Sequence, residues 1–133
     1  MSRLLEDVAT RITVNIGTLT LGTNLFLGRL PDDPDLCVAL YQYGGEQAVA
    51  TMGGDAMPPV EQPRFQVVVR AAGYTTAHDL ASTIWGVLDS VLNESLSSTL
   101  YYKITGIQSP FPMDRDTQDR IIFAQNFKVQ RVL

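Results

Sequence analysis

The side chains that could do chemistry are few. The chain carries one cysteine and one histidine, Cys37 and His78. A zinc site needs about four Cys, His or carboxylate ligands in close spacing, so one thiol and one imidazole cannot build a mixed site. Cys37 lies in the apolar run 36–41, far in sequence from His78. A nucleophilic thiolate needs a basic partner, so Cys37 reads as an inert buried thiol. Serine, histidine and aspartate are all present, but His78 and Asp79 are neighbours. Adjacent helix positions point about 100° apart, which breaks a triad, and His78 reads as an exposed polar residue. Gly44-Gly45 and Gly53-Gly54 lack the lysine of a phosphate loop and the strand–helix setting of a dinucleotide site. Asp114, Asp116 and Asp119 are spaced like calcium ligands, without the glycine at position six or the glutamate at twelve. They read as a solvated loop that alternates charge with Arg115 and Arg120. No catalytic, metal or cofactor site is expected, and the chain is expected not to be an enzyme.

The elements around these residues alternate between helical and strand periods. Leu4, Leu5, Val8, Ala9 and Ile12 recur at helical spacing. Ser2 is placed to cap that helix, and Glu6 and Asp7 suit its positive N-terminal end. Residues 18–23 are ambiguous. Residues 25–30 read as a short strand, stopped by Pro31-Asp32-Asp33-Pro34-Asp35, which favours turns. Residues 37–43 form a second strand. From Gly44 to Pro63 there is no sustained apolar period, and seven glycines and prolines interrupt the segment, so a flexible loop is expected over 44–63.

Residues 65–71 alternate, with Phe65, Val67, Val69 and Ala71 on one side. The clearest helix follows, opened by a capping-box-like Thr76-Ala77-His78-Asp79. Its apolar face is Ala77, Leu80, Ala81, Ile84, Leu88 and Val91, widened by Trp85, Val87 and Leu92, and it ends near Asn93. Residues 100–108 read as a strand with Leu100, Tyr102 and Ile104 on one side and Tyr101, Lys103 and Thr105 on the other. Ser109-Pro110-Phe111-Pro112 interrupts it. Ile121, Phe123, Phe127 and Val129 mark a last strand, expected to be the longest. This order predicts one α+β domain over 1–133, with two main helices packed on an antiparallel or mixed sheet.

With 133 residues the chain is long enough to bury a core without staples. Charged residues are 18% of it, below the ~25% of an average soluble domain. That suits either buried interfaces or a compact neutral monomer. The net charge is −4, and no Lys/Arg stripe offers a nucleic-acid footprint. No signal-peptide pattern and no apolar run of about 20 residues is present, so a soluble, intracellular chain with no membrane partner is expected.

Several stretches stand in order along nearly the whole chain: Leu4-Leu5-Glu6-Asp7-Val8-Ala9, Gly28-Arg29-Leu30-Pro31-Asp32, Ala39-Leu40-Tyr41-Gln42-Tyr43-Gly44-Gly45, Gln66-Val67-Val68-Val69-Arg70, and Gln108-Ser109-Pro110-Phe111 followed by Arg115-Asp116. Together they resemble the minor capsid or tail terminator proteins of long-tailed bacteriophages. The resemblance departs at Arg64-Phe65, where a glycine turn would precede the strand, and over residues 46–62. It implies a structural virion protein that forms a homomeric ring, commonly a hexamer, at the head-proximal end of the tail. Such a ring ends tube polymerisation and joins tail to head. Its implied partners are further copies of itself, the tail tube protein and a head connector or head completion protein. Duplex DNA passes through the ring without sequence-specific binding, and an acidic protein suits that passage. The implied location is the virion, with assembly in the host cytoplasm.

Arg29, Arg70, Arg115 and Asp116 lie at strand ends or loops within the matching stretches. They are the candidate intersubunit or partner contacts, since arginine bonds carboxylates bidentately. Solvated surface charge is the alternative for each. Met52 and Met57 are candidate adaptable contacts in the 44–63 loop, which is expected to order against the tail tube or a neighbouring subunit. The alternative is that they tack the loop onto its own domain. Two other functions stay open: a small ligand-binding or regulatory α+β domain acting as a homo-oligomer, and a small enzyme using acidic residues.

Overall fold

A computed structural model describes residues 3–49 and 60–132, with the backbone course alone over 45–49. Met52 and Met57 lie outside the described residues. Among these the order is α1 (Leu4–Asn15), β1 (Leu25–Leu27), β2 (Cys37–Val49), β3 (Val60–Ala71), α2 (Tyr74–Asp89), β4 (Leu92–Leu96), β5 (Thr99–Met113) and β6 (Ile121–Val132). The strands form one six-stranded sheet in the order β1-β2-β3-β6-β5-β4. Strand β1 runs parallel to β2, and every other neighbouring pair is antiparallel. The predicted α+β class, with helices on a mixed sheet, is what forms.

The core lies between the helices and one face of the sheet. Leu4, Val8, Ala9 and Ile12 of α1 and Ala77, Ala81, Ile84 and Leu88 of α2 are buried. They meet Val38, Leu40, Phe65, Val67, Val69, Phe123, Phe127 and Val129 from the sheet. Burying one such side chain stabilises the fold by roughly 1.5–3 kcal/mol. Phe65 and Phe127 are cross-strand partners whose rings stack at 5.1 Å. Gln125 is fully buried on the same side, and its Nε2 donates to the Ala81 carbonyl at 3.1 Å, which ties α2 to the sheet. Trp85 lies 5.2 Å from the Phe127 ring and covers Gly106. A Cβ at Gly106 would stand 2.0 Å from an indole carbon, so this strand position needs glycine for close approach.

Of the two expected helix caps, one falls on Ser2 and the other does not form. Helix α1 starts after an extended Arg3 with no side-chain cap, and Ser2 lies outside the described residues. Helix α2 starts after extended Gly73, so Thr76 is already inside the helix and the capping box does not form. Strand β1 stops at Leu27 rather than at residue 30, because Gly28 turns the chain at φ +78°. Strands β2 and β3 continue to Val49 and from Val60, so both ends of the expected loop are strand. Register shifts after Tyr43 and after Glu46 absorb the glycines there.

Strand β4 takes Leu92, expected on the helix face, and leaves it exposed at the sheet margin. Strand β5 runs straight through Ser109-Pro110-Phe111-Pro112 to Met113, and at 15 residues it exceeds the 12 of β6. Prolines fit there because β4 pairs with β5 only over 99–103, so the outer side of β5 beyond that has no strand neighbour among the described residues. A register shift between Tyr101 and Lys103 also reverses the expected facing. Tyr101 is buried together with Ile104, while Leu100 is exposed.

Candidate functional site

An arginine sits at each end of β6, and each gathers a cluster. At the first end Arg120 directly precedes the strand, and Arg70 of β3 pairs with Ile122 beside it. Arg120 Nε donates to Asp116 Oδ2 at 2.7 Å, and its Nη1 reaches the Asp32 carbonyl and, at 3.2 Å, Asp35 Oδ1. Arg70 donates to the carbonyls of Pro34 at 2.6 Å and Asp35 at 3.3 Å. Both guanidiniums are buried, while the Asp32 and Asp35 side chains stay exposed. The turn 31–35 is thus held from inside, with its carboxylates displayed outward.

Asp116 closes the adjoining turn. Its Oδ1 accepts the N–H groups of Gln118 at 3.0 Å and Arg120 at 2.9 Å, an Asx turn. The Arg120 backbone N–H, helped by its guanidinium, holds the Asp116 carboxyl below its usual range. Cys37 lies near by. Burial pushes its thiol up, and Arg70, Arg120 and Arg29 oppose that less strongly. The thiol stays protonated, as an inert core group does.

At the other end Arg131 joins α1, β3 and β5. Its Nε donates to Glu61 Oε2 at 2.6 Å, and its Nη1 donates to the Tyr101 hydroxyl at 2.9 Å and approaches Asp7 Oδ2 at 3.5 Å. The Tyr101 hydroxyl donates to the same Asp7 oxygen at 2.6 Å. Burial, reinforced by the bond to Asp7, pushes the Tyr101 phenol well above its usual range. Residue-by-residue reading missed this cluster, yet two signals were present. Asp7 falls inside the apolar stripe of α1, and Arg131 shares the core parity of Phe127 and Val129.

The face of the sheet away from the helices carries a row of neutral amides. Gln66 Nε2 donates to Asn126 Oδ1 at 3.1 Å, and Asn126 Nδ2 donates to Gln108 Oε1 at 2.7 Å. Tyr41 and Tyr43 flank this row and form an open groove with Gln66 and Asn126.

Of the expected contact residues, Arg70 and Asp116 come together around the turn 31–35, but Arg70 is buried and engaged internally. Arg29 is exposed, with its guanidinium 5.1 Å from the Phe26 ring centre. Arg115 is exposed and folds back on the Asp119 carbonyl at 2.9 Å. His78 is exposed as expected, 3.3 Å from Asp79 and stacked on Tyr74 at 6.0 Å. Among the described residues no group of three or more His, Cys, Asp or Glu side chains is placed to hold a metal, and no helix is long and apolar enough to cross a membrane.

A family model described as bacteriophage tail terminator protein matches residues 14–133. Among solved structures the chain is similar to a chain in the virion of a native gene transfer agent particle. The TM-score is 0.54 at 17% identity, over 95% of this chain and 84% of that one. At that identity the likeness speaks to the fold alone. No curated protein matches.

Proposed function

The chain belongs to the bacteriophage tail terminator family, and from that membership we propose that it forms a homomeric ring, a hexamer, at the head-proximal end of a phage tail. The ring ends polymerisation of the tail tube and joins tail to head. The coarser reading, a structural tail protein of the virion, follows from the family. The match over residues 14–133 carries the finer one.

The surface is compatible with this role. An uncharged amide row crosses the helix-free face, with the Arg64 and Lys128 pair next to it on the same face. The turn 31–35 presents carboxylates on a rigid mount. Its partners in this reading are neighbouring copies, the tail tube protein and a head connector or completion protein, with duplex DNA passing through the ring. Exposed Arg29 and Arg115 are the proposed polar contacts, and Met52 and Met57 the proposed apolar ones. Arg70 and Asp116 act indirectly, by holding the turn.

Tails purified from cells lacking this protein should be overlong and headless. Labelled protein should mark a single ring at the head-proximal end of complete tails. Copies spread along the tube would sink the terminator reading. Arg29→Glu or Arg115→Glu should reduce tail completion while the circular dichroism of the purified protein stays unchanged.

A further inference from the structure

The sheet ends on two short strands that differ in cover. Strand β1 spans three residues, and its Leu25 and Phe26 are buried. Strand β4 spans five, and none of them is buried. Leu92 is 61% exposed, and Leu96 is the one β4 side chain that packs against the hydrophobic core.

The backbone around β4 is held in an uncommon shape. Four described non-glycine residues have positive φ, and three of them belong here. Asn93 lies at 51°, and Ser97 and Ser98 lie at 49° and 67° in the turn to β5. A Cβ is disfavoured in that region, for serine more than for asparagine. A two-residue hairpin turn with positive φ at both centres ordinarily uses asparagine and glycine.

The residues on either side are firmly seated. Val91 is fully buried, and its carbonyl accepts the Ile104 N–H at 3.3 Å. Tyr101 is fully buried beyond the turn. Between these anchors Glu94 joins β4 to α1, its Oε2 accepting from Arg11 Nη1 at 2.7 Å. Arg11 is itself tied to the end of α2, donating to Ser90 Oγ at 3.1 Å. Beside this pair a crevice of about 200 Å³ runs between α1, from Asp7 to Asn15, and Ser95, Leu96 and Ser97. The strand therefore does not seat fully on the helix.

We propose that β4 is a hinged strap that lifts off β5 as a unit while β3 and β6 stay paired. Asn93 and the Ser97-Ser98 turn are its hinges, and the Arg11–Glu94 ion pair is its latch. Opening relieves the turn and returns a partly exposed ion pair to water, and little apolar surface is lost with it. It extends the unpaired outer side of β5 back to Thr99. The inference does not depend on the tail reading.

Native-state amide exchange of the full chain tests this. Leu96 faces Thr99 across the two-residue turn, and bonding direction alternates from there. The amides of Glu94 and Leu96 thus report the strap, and those of β3 and β6 report the sheet. Strap amides should exchange faster than sheet amides and respond less to low urea. Glu94→Gln keeps the side chain's size and should speed strap exchange by about threefold, as loss of a partly exposed ion pair implies. The pair Ser97→Asn and Ser98→Gly suits the turn and should slow it by about tenfold. Ile84→Val, in the core under α2, should speed sheet exchange by about fivefold and leave strap exchange unchanged. Strap exchange that Ile84→Val also accelerates, or that rises with urea as steeply as sheet exchange, means β4 opens only with the whole fold and overturns the proposal. Unaltered strap exchange in either the latch or the turn variant overturns it too.

Discussion

At one end of β6 Arg131 faces Asp7, and both side chains are nearly out of water at 5% and 2% exposure; at the other end Arg120, equally buried, faces Asp32 and Asp35 at 86% and 66%. The same side chain is used in two ways. Around Arg131 the partners Asp7 and Tyr101 have given up hydration, while Glu61 keeps a quarter of its side-chain exposure, so removing the arginine leaves the Asp7 charge in the interior. Around Arg120 the exposed carboxylates can return to water. The first cluster therefore specifies how α1 seats on the sheet, and the second presents a turn that can lose members without the core failing.

Removing Arg131 should have the largest effect. Arg131→Met leaves Asp7 buried and should cost about 3–5 kcal/mol, measured by urea denaturation followed by circular dichroism. The triple replacement Asp7→Leu, Tyr101→Phe, Arg131→Met should recover most of that loss. If it is as unstable as the single variant, the distinction between the two ends collapses. At the other end Arg70→Ala deletes two bonds to the turn 31–35 and should cost about 1.5–3 kcal/mol. The accompanying rise in amide exchange should stay near that turn. Spread into α1 or β5 would show that the ends are coupled.

Titration separates the ends by sign. The folded Tyr101 phenol is raised, so its contribution is complete below the unfolded value of about 10 and is lost as pH rises through the higher folded value. Absorbance titration should show Tyr101 and Tyr41, both raised, ionising above the usual phenol range. The folded Asp116 carboxyl is depressed, so its contribution is present above about 3.9 and is lost as pH falls through the lower folded value. Acid thus probes Asp116 at the Arg120 end, whereas alkali reaches Tyr101 at the Arg131 end and also the raised Cys37 thiol near Arg70 and Arg120. Tyr101→Phe should abolish the late phase assigned to that phenol, and its survival would mean another group carries it. The smallest effect belongs to Asp32→Asn, which removes an exposed carboxylate 3.6 Å from Arg120. No change in denaturation midpoint should be resolved.

The sequence makes one of these ends far more legible than the other. Helical spacing in α1 and α2 and alternation in β3 and β6 are strong local patterns, and the core that forms follows them. The turn 31–35 is equally plain, since two prolines and three aspartates leave few alternatives. That Arg70 and Arg120 would be buried beneath it depends on strand pairing, which brings residues far apart in sequence together. The Arg131 cluster spans up to 124 positions between partners, and Tyr101 enters it only because a register shift reverses the facing of β5. A bulge leaves no periodic trace. Proline positions read as breaks because ladder bonding forbids them, and they fit β5 because, among the described residues, it has no outer strand neighbour there.

The contact between Trp85 and Gly106 has a practical consequence. Trp85 is the sole indole in the chain, so its fluorescence comes from one place. That place is the seam where α2 rests on β5 and β6, away from both arginine ends. Emission from the purified protein should therefore follow the undocking of α2 from the sheet. The chain thus carries a built-in optical gauge of its own folding.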